Sequence, residues 1–129
     1  VQASGHGVVI FIDIHGQVPQ KRRLCEYANN IMEYLIPDHM GETSIDVYVK
    51  KQLSYEVAGY CHGDDYSVII ELARNSCGEP YTLEEMAVTL GHELVHAKQN
   101  IGEYSGIPDH EKREREAYYL EQKLFEKFW

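Results

Sequence analysis

Thr82 to Asn100, TLEEMAVTLGHELVHAKQN, is the stretch that leaves this chain least freedom. Thr82 followed by Glu85 is a capping box: the hydroxyl can accept from the third amide of a helix while the Glu side chain returns to the cap amide. Tyr81 and Met86 stand where a hydrophobic staple would place them. A helix is therefore predicted from about Leu83 to Asn100, with Gly102 ending it. On its wheel Leu83, Met86, Ala87, Leu90, Leu94, Ala97 and Ile101 cluster on one side, and Val88, His92, Val95, His96 and Gln99 on the other. A surface helix has no need of Val88 and Val95 beside its histidines. This one must be packed on its main apolar side and present His92 and His96 across from it.

With 129 residues the chain has enough material for one domain around a single core. Val8 to Ile14 (VVIFIDI) reads as a buried strand, and Gln20 to Ile36 as a helix stopped by Pro37. Thr43 to Lys50 alternates Ile45, Val47 and Val49 against Asp46, Tyr48 and Lys50, the pattern of a half-buried strand. Tyr55 to Cys61 and Tyr66 to Ala73 flank His62 to Asp65 and predict a hairpin. Asn75 to Pro80 is a loop by composition. The expected fold is α+β: a small twisted, mostly antiparallel sheet of about four strands with an N-terminal helix, the histidine helix and a C-terminal helix. Val1 to Gly7 is expected to be a loose leader.

The net charge of −9, from 21 acidic and 12 basic side chains, argues against a phosphate-tracking surface and so against nucleic acid as a partner. Lys21, Arg22 and Arg23 read as the solvated face of the first helix. The longest apolar run, Gly7 to Ile12, is far too short for a membrane span. Cys25, Cys61 and Cys77 form no C-x-x-C pair, and an odd count fits a reducing, cytoplasmic setting better than a disulfide framework. A chain opening on Val1 rather than Met is expected to be a processed form or a piece of something longer.

Gly91-His92-Glu93-Leu94-Val95-His96 contains H-E-x-x-H. Histidines four apart project from one helix face, so both imidazoles can reach one ion at roughly 2 Å. Glu93 then stands where it can take a proton from an activated water. A catalytic zinc takes three protein ligands and keeps a position open. The metzincin extension fails, because Gln99 and Gly102 occupy the positions of its Gly and last His. The third ligand must come later, and DHEKREREAYYL, Asp109 to Leu120, offers His110, Glu111, Glu114 and Glu116. If Ala117, Leu120, Leu124 and Phe128 mark the buried direction of that last helix, Glu114 and Glu116 fall about 80° to either side of it. The wheel does not choose between them. Amide hydrolysis also asks for an oxyanion donor, for which Tyr104, Tyr118 and Tyr119 offer phenols. Cys61, His62, Asp64 and Asp65 include ligand types but lie in the hairpin turn, where Gly and Asp serve geometry.

H-E-x-x-H, 19 intervening residues and then Glu116-Ala117 resembles the gluzincin metallopeptidases. The E-R-E-A-Y run from Glu114 to Tyr118 is similar to small phage-encoded and bacterial peptidase domains, including the ImmA/IrrE type. The likeness covers roughly Tyr66 to Lys127. It implies a zincin-like fold and one zinc per chain held by His92, His96 and Glu116, with Glu93 as general base. The implied reaction is hydrolysis of peptide bonds in a peptide or protein substrate, by an endopeptidase rather than an exopeptidase. The family binds substrate along an edge strand before the motif helix, here Tyr66 to Arg74 with Ser67, Ile69, Glu71 and Ala73. A His110 ligand would instead resemble the SprT-like proteases, although Glu111-Lys-Arg stands where His-Gly follows there. The rivals are a binding or regulatory module on a zincin scaffold, and a peptidase toxin or effector domain cut from a longer protein. Glu93 argues against the first, since a purely structural site has no use for a general base.

Overall fold

The computed structural model of the chain describes residues 2–3, 8–37, 41–101 and 109–129. The β-branched run becomes β2 (Val8–His15), preceded by a two-residue β1 (Gln2–Ala3) and followed by α1 (Lys21–Leu35). Next come β3 (Gly41–Lys50), β4 (Gly59–Gly63), β5 (Ser67–Ala73) and the small ribbon of β6 (Asn75–Ser76) and β7 (Glu79–Pro80). Two long helices complete the chain, α2 (Leu83–Asn100) and α3 (His110–Phe128). Both reciprocal bonds of the predicted capping box open α2: Glu85 N–H donates to Thr82 Oγ1 at 3.1 Å, and Thr82 N–H donates to Glu85 Oε1 at 2.8 Å. No described helix is long and apolar enough to cross a membrane.

The sheet order is β1-β2-β3-β5-β4. The expected hairpin is present with its first strand shifted: Ser54–Glu56 form a 3-10 turn, and β4 pairs antiparallel with β5 from Gly59 opposite Leu72 to Gly63 opposite Val68, so that His62 and Gly63 belong to the strand. At its turn Asp64 accepts from the amides of Tyr66 (2.9 Å) and Ser67 (3.0 Å), which hold its carboxyl below the usual range. Asp64 therefore serves geometry there, as its composition suggested.

The expectation of a mostly antiparallel sheet is corrected. The two longest ladders, β2 with β3 and β3 with β5, are parallel. The reason lies in the connections: α1 carries the chain back along the sheet, so the next strand runs the same way as the last. After β3 the chain passes to the outer edge, runs β4, and returns to insert β5 between β4 and β3. Alternation reports which face a strand buries and says nothing of its neighbour. The leader is corrected in part, since Gln2 and Ala3 pair with Ile10 and Val9.

Insertion of β5 also overturns its assignment as the substrate strand. It is hydrogen-bonded on both sides, and Val68, Ile70, Leu72 and Ala73 are buried. Ser67, Ile69, Glu71 and Ala73 thus lie on an interior strand, where Glu71 meets Lys50 at 3.0 Å. The edge strand beside α2 is β4.

Ile10, Ile12 and Ile14 of β2, Ile45, Val47 and Val49 of β3, and Val68, Ile70 and Leu72 of β5 form one buried face. Against it and each other pack Leu24, Tyr27, Ala28, Ile31 and Met32 of α1, Met86, Leu90 and Leu94 of α2, and Ala117 and Leu124 of α3. Each fully buried aliphatic side chain contributes about 1.5–3 kcal/mol, so this shared core fixes the position of α2. Leu90 through Val95 are buried without a break, because α2 is enclosed by β4, β5, α1 and α3 together. Gly91 permits the approach of α1: a Cβ there would stand 3.2 Å from the Tyr27 hydroxyl.

Candidate metal centre

Enclosure of α2 brings His92 and His96 against α3 rather than into open solvent. Their Nε2 atoms lie 3.2 Å apart, and Glu114 Oε1 lies 3.0 Å from His92 Nε2 and 2.7 Å from His96 Nε2. These three residues form the one group among the described residues whose ligand atoms could share a metal ion. In a tetrahedron with bonds of about 2.0–2.1 Å, ligand atoms are about 3.3 Å apart. The observed spacing needs only a small outward relaxation to reach that.

The tautomers follow from what holds the far side of each ring. Glu121 Oε1 lies 2.8 Å from His92 Nδ1, and Gln99 Oε1 lies 2.8 Å from His96 Nδ1. The Gln99 amide can be oriented in one way only, since its Nε2 donates to Arg113 O (3.0 Å) and Glu116 Oε1 (2.9 Å). Its oxygen therefore faces His96 and accepts the Nδ1 proton. A neutral imidazole that donates through Nδ1 presents a lone pair at Nε2. Two lone pairs and a carboxylate oxygen thus converge within 2.7–3.2 Å, an arrangement that repels itself unless positive charge sits among them. Burial pushes the Glu114 carboxyl up, but the two imidazoles, when protonated, more than offset this and hold it below the usual range. The donor set, two imidazoles and a carboxylate with oxygen partners behind the rings, suits zinc.

The third ligand expected from the Glu-Ala pattern is corrected here. Glu116 turns to the other side of α3, where its carboxylate accepts from Lys98 Nζ at 3.1–3.2 Å and from Gln99. Lys98, near the end of α2, captures the carboxylate that the helical wheel left undecided. His110 is exposed and lines the wall of a cavity, yet contributes no atom to the group. Glu111 and Lys112 face solvent, and Glu111 pairs with Arg115 at 3.3 Å.

Glu93 is buried beside the group, 6% exposed. Burial pushes its carboxyl up to about 7, with Glu114 and Glu121 adding to the rise and His92 opposing it. It lines both cavities that flank the centre. One, about 380 Å³, lies toward Val57, Ala58, Thr89, Tyr118 and Glu121. The other, about 300 Å³, lies toward Tyr60, Cys61, Asn100, His110 and Arg113. They meet at Gly59, the first residue of β4, which makes room: a Cβ there would stand 3.0 Å from Glu93 Oε2 and 2.7 Å from Thr89 Cγ2.

Of the phenols, Tyr118 stands edge-on to the His92 ring at 4.6 Å and lines the larger cavity. Tyr119 points away beneath Lys123, and Tyr104 and Gly102 lie outside the described residues. Glu121, Arg113 and Gly59 escaped the sequence reading, and Gln99 entered it only as the residue that breaks the metzincin spacing. Glu114 and Glu121 sit seven apart on one face of α3 with Tyr118 between them, a repeat that would have marked a face serving the histidines. Comparison with protein-family models, with curated proteins and with solved structures finds no match to this chain.

Proposed function

We propose that this chain is a zinc-dependent peptidase of minimal, zincin-like build, with His92, His96 and Glu114 as ligands and Glu93 as general base. The observation that carries this reading is a buried carboxyl, Glu93, next to a two-imidazole, one-carboxylate group and under an open sheet edge. Zinc held there supplies Lewis acidity and brings the pKa of water at the site towards 7. Glu93 accepts the proton of the attacking water and returns it to the departing amine, work suited to a carboxyl pushed up to about 7. Glu121 and Gln99 hold the two imidazoles in the ligand tautomer. The free backbone groups of β4 align an extended peptide beside Glu93, and Gly59 keeps that path clear. Tyr118, 65% exposed at the cavity wall, supplies a phenol within the same groove to a developing oxyanion.

Purified protein is expected to carry about one zinc per chain and to cleave unstructured peptides. Glu93→Gln should retain the metal, measured by elemental analysis, and lose cleavage, measured with fluorogenic peptides. Full activity in that variant overturns the mechanism.

A further inference from the structure

Arg113 is a half-buried cation at the centre whose partners are neutral. Its Nε donates to Gln99 Oε1 at 3.2 Å and its Nη2 donates to Asn100 Oδ1. Lys98 and Lys50 each meet a carboxylate, whereas Arg113 pairs with none among the described residues. Other basic side chains, Arg74 among them, also meet no carboxylate among the described residues. What sets Arg113 apart is its place on the wall of a cavity shared with Glu93 and His96, where a carboxylate from outside can reach it.

The guanidinium carries five N–H donors in a rigid fork. The two amide oxygens take up part of the fork and fix its direction, and the group lines the smaller cavity opposite Cys61. Burial and then Glu93 push the Cys61 thiol up, and the Arg113 charge across that space opposes this only in part. Nη2 and Nε being held, the guanidinium is preorganised at the wall of a groove that also contains Glu93 and His96.

For a chain added antiparallel to β4, as β5 is on its other side, the strand direction decides which part meets Arg113. A peptide laid antiparallel on β4 has its N-terminal part toward Cys61 and its C-terminal part toward Val57. From this placement we infer that Arg113, steadied by Gln99 and Asn100, is a subsite for a substrate carboxylate, carried by a Glu or Asp side chain N-terminal to the cleaved bond. The inference rests on the hydrolytic reading above and adds substrate selection to it. Arg113 touches substrate and is thus a specificity residue, while Gln99 acts through it and through His96.

The test uses the zinc-loaded protein and fluorogenic peptides that differ only by Glu, Gln or Lys at each position flanking the cleaved bond, with free or amidated C termini. Glu is expected to exceed Gln by about tenfold to a hundredfold in kcat/KM at one position on the N-terminal side, the range for hydrogen bonds to a charged group. Arg113→Gln should bring that ratio near unity, Arg113→Lys should keep part of it, and Arg113→Glu should turn the preference towards Lys. The ratio is taken within each variant, so a general loss through Gln99 and His96 cancels. A preference lost on amidation would place the carboxylate at the C terminus, on the other side of the cleaved bond, and overturn the subsite; one indifferent to amidation supports the side chain. A ratio unchanged in Arg113→Gln overturns the subsite. Anisotropy of the same peptides on zinc-loaded Glu93→Gln separates the two readings. Arg113-dependent binding of Glu peptides without any cleavage by the wild type would keep the subsite and overturn hydrolysis, and no preference in either assay would overturn the subsite.

Discussion

Gly59→Ala tests the close approach of β4 to α2 on which the whole groove depends. The added methyl would stand 2.7 Å from Thr89 Cγ2, 3.0 Å from Glu93 Oε2 and 3.1 Å from Glu93 Cγ. Carbon atoms prefer about 3.5–4.0 Å, so two side chains must move by several tenths of an ångström or more. Overpacking of this kind costs about 1–3 kcal/mol. The alanine also narrows the unfolded ensemble, which returns about 0.4–1 kcal/mol. Destabilisation wins by about 1–2 kcal/mol, a fall in Tm of roughly 4–10 °C for a chain of this size. Displacement of Glu93 matters more, since a misplacement of about 1 Å can cost a hundredfold in rate. Thermal melts, zinc content and peptide cleavage should therefore show a modestly less stable protein that keeps its metal and cleaves at least about tenfold more slowly. Adding Thr89→Ala removes the shortest overlap and should restore stability more than activity. A Gly59→Ala protein with the stability and rate of the wild type would mean that β4 does not lie against Glu93, and the groove would have to be redrawn.

The ligand assignment separates two neighbours on α3. Glu114→Gln should lower zinc affinity by more than the 10–100-fold range of about that size usual for outer partners, while Glu116→Gln, acting only through Gln99, should lower it by less than about tenfold; competition with a chelator measures both. Glu121→Gln should weaken zinc by about 10–100-fold in calorimetry, because His92 loses the charged acceptor at Nδ1, and an unchanged affinity would show that this acceptor is dispensable. In the metal-free protein Glu93, raised from its ordinary 4.5 to about 7, binds its proton more tightly when folded, so its contribution to stability declines as pH rises between those values. Glu93→Gln should then gain on the wild type across that window in urea melts, and a difference that stays constant with pH would contradict it.

The histidine helix was legible because local chemistry fixes it. A cap, a staple and a 3.6-residue period are properties of adjacent residues, and α2 begins and ends where they predict. The hairpin of β4 and β5 was legible for the same reason. What failed depends on distant partners. Nothing in Ser67 to Ala73 announces that β3 will pair with its other side, so an interior strand read as an edge. Glu114 and Glu116 flank the buried direction of α3 equally, and the tie was broken by Lys98, eighteen residues earlier than Glu116. The need of each imidazole for a second partner behind the ring was the unused clue, because it asks for more oxygen acceptors than one ligand supplies.

The open edge proposed to receive a substrate also bears on how the chain behaves among its own copies. Unpaired amides and carbonyls accept any extended backbone, including the β4 of a neighbour at high concentration. Here the exposure is rationed by length. β4 has five residues between Gly59 and Gly63, and at Gly63 the backbone takes a φ of +146, which bends the strand out of line. Tyr60 and His62 crowd its solvent face, their rings 5.4 Å apart. A run so short offers too little ladder for two copies to remain joined, and on the proposed reading it still suffices to hold a peptide beside Glu93. Lengthening β4 would thus be expected to trade turnover for self-association.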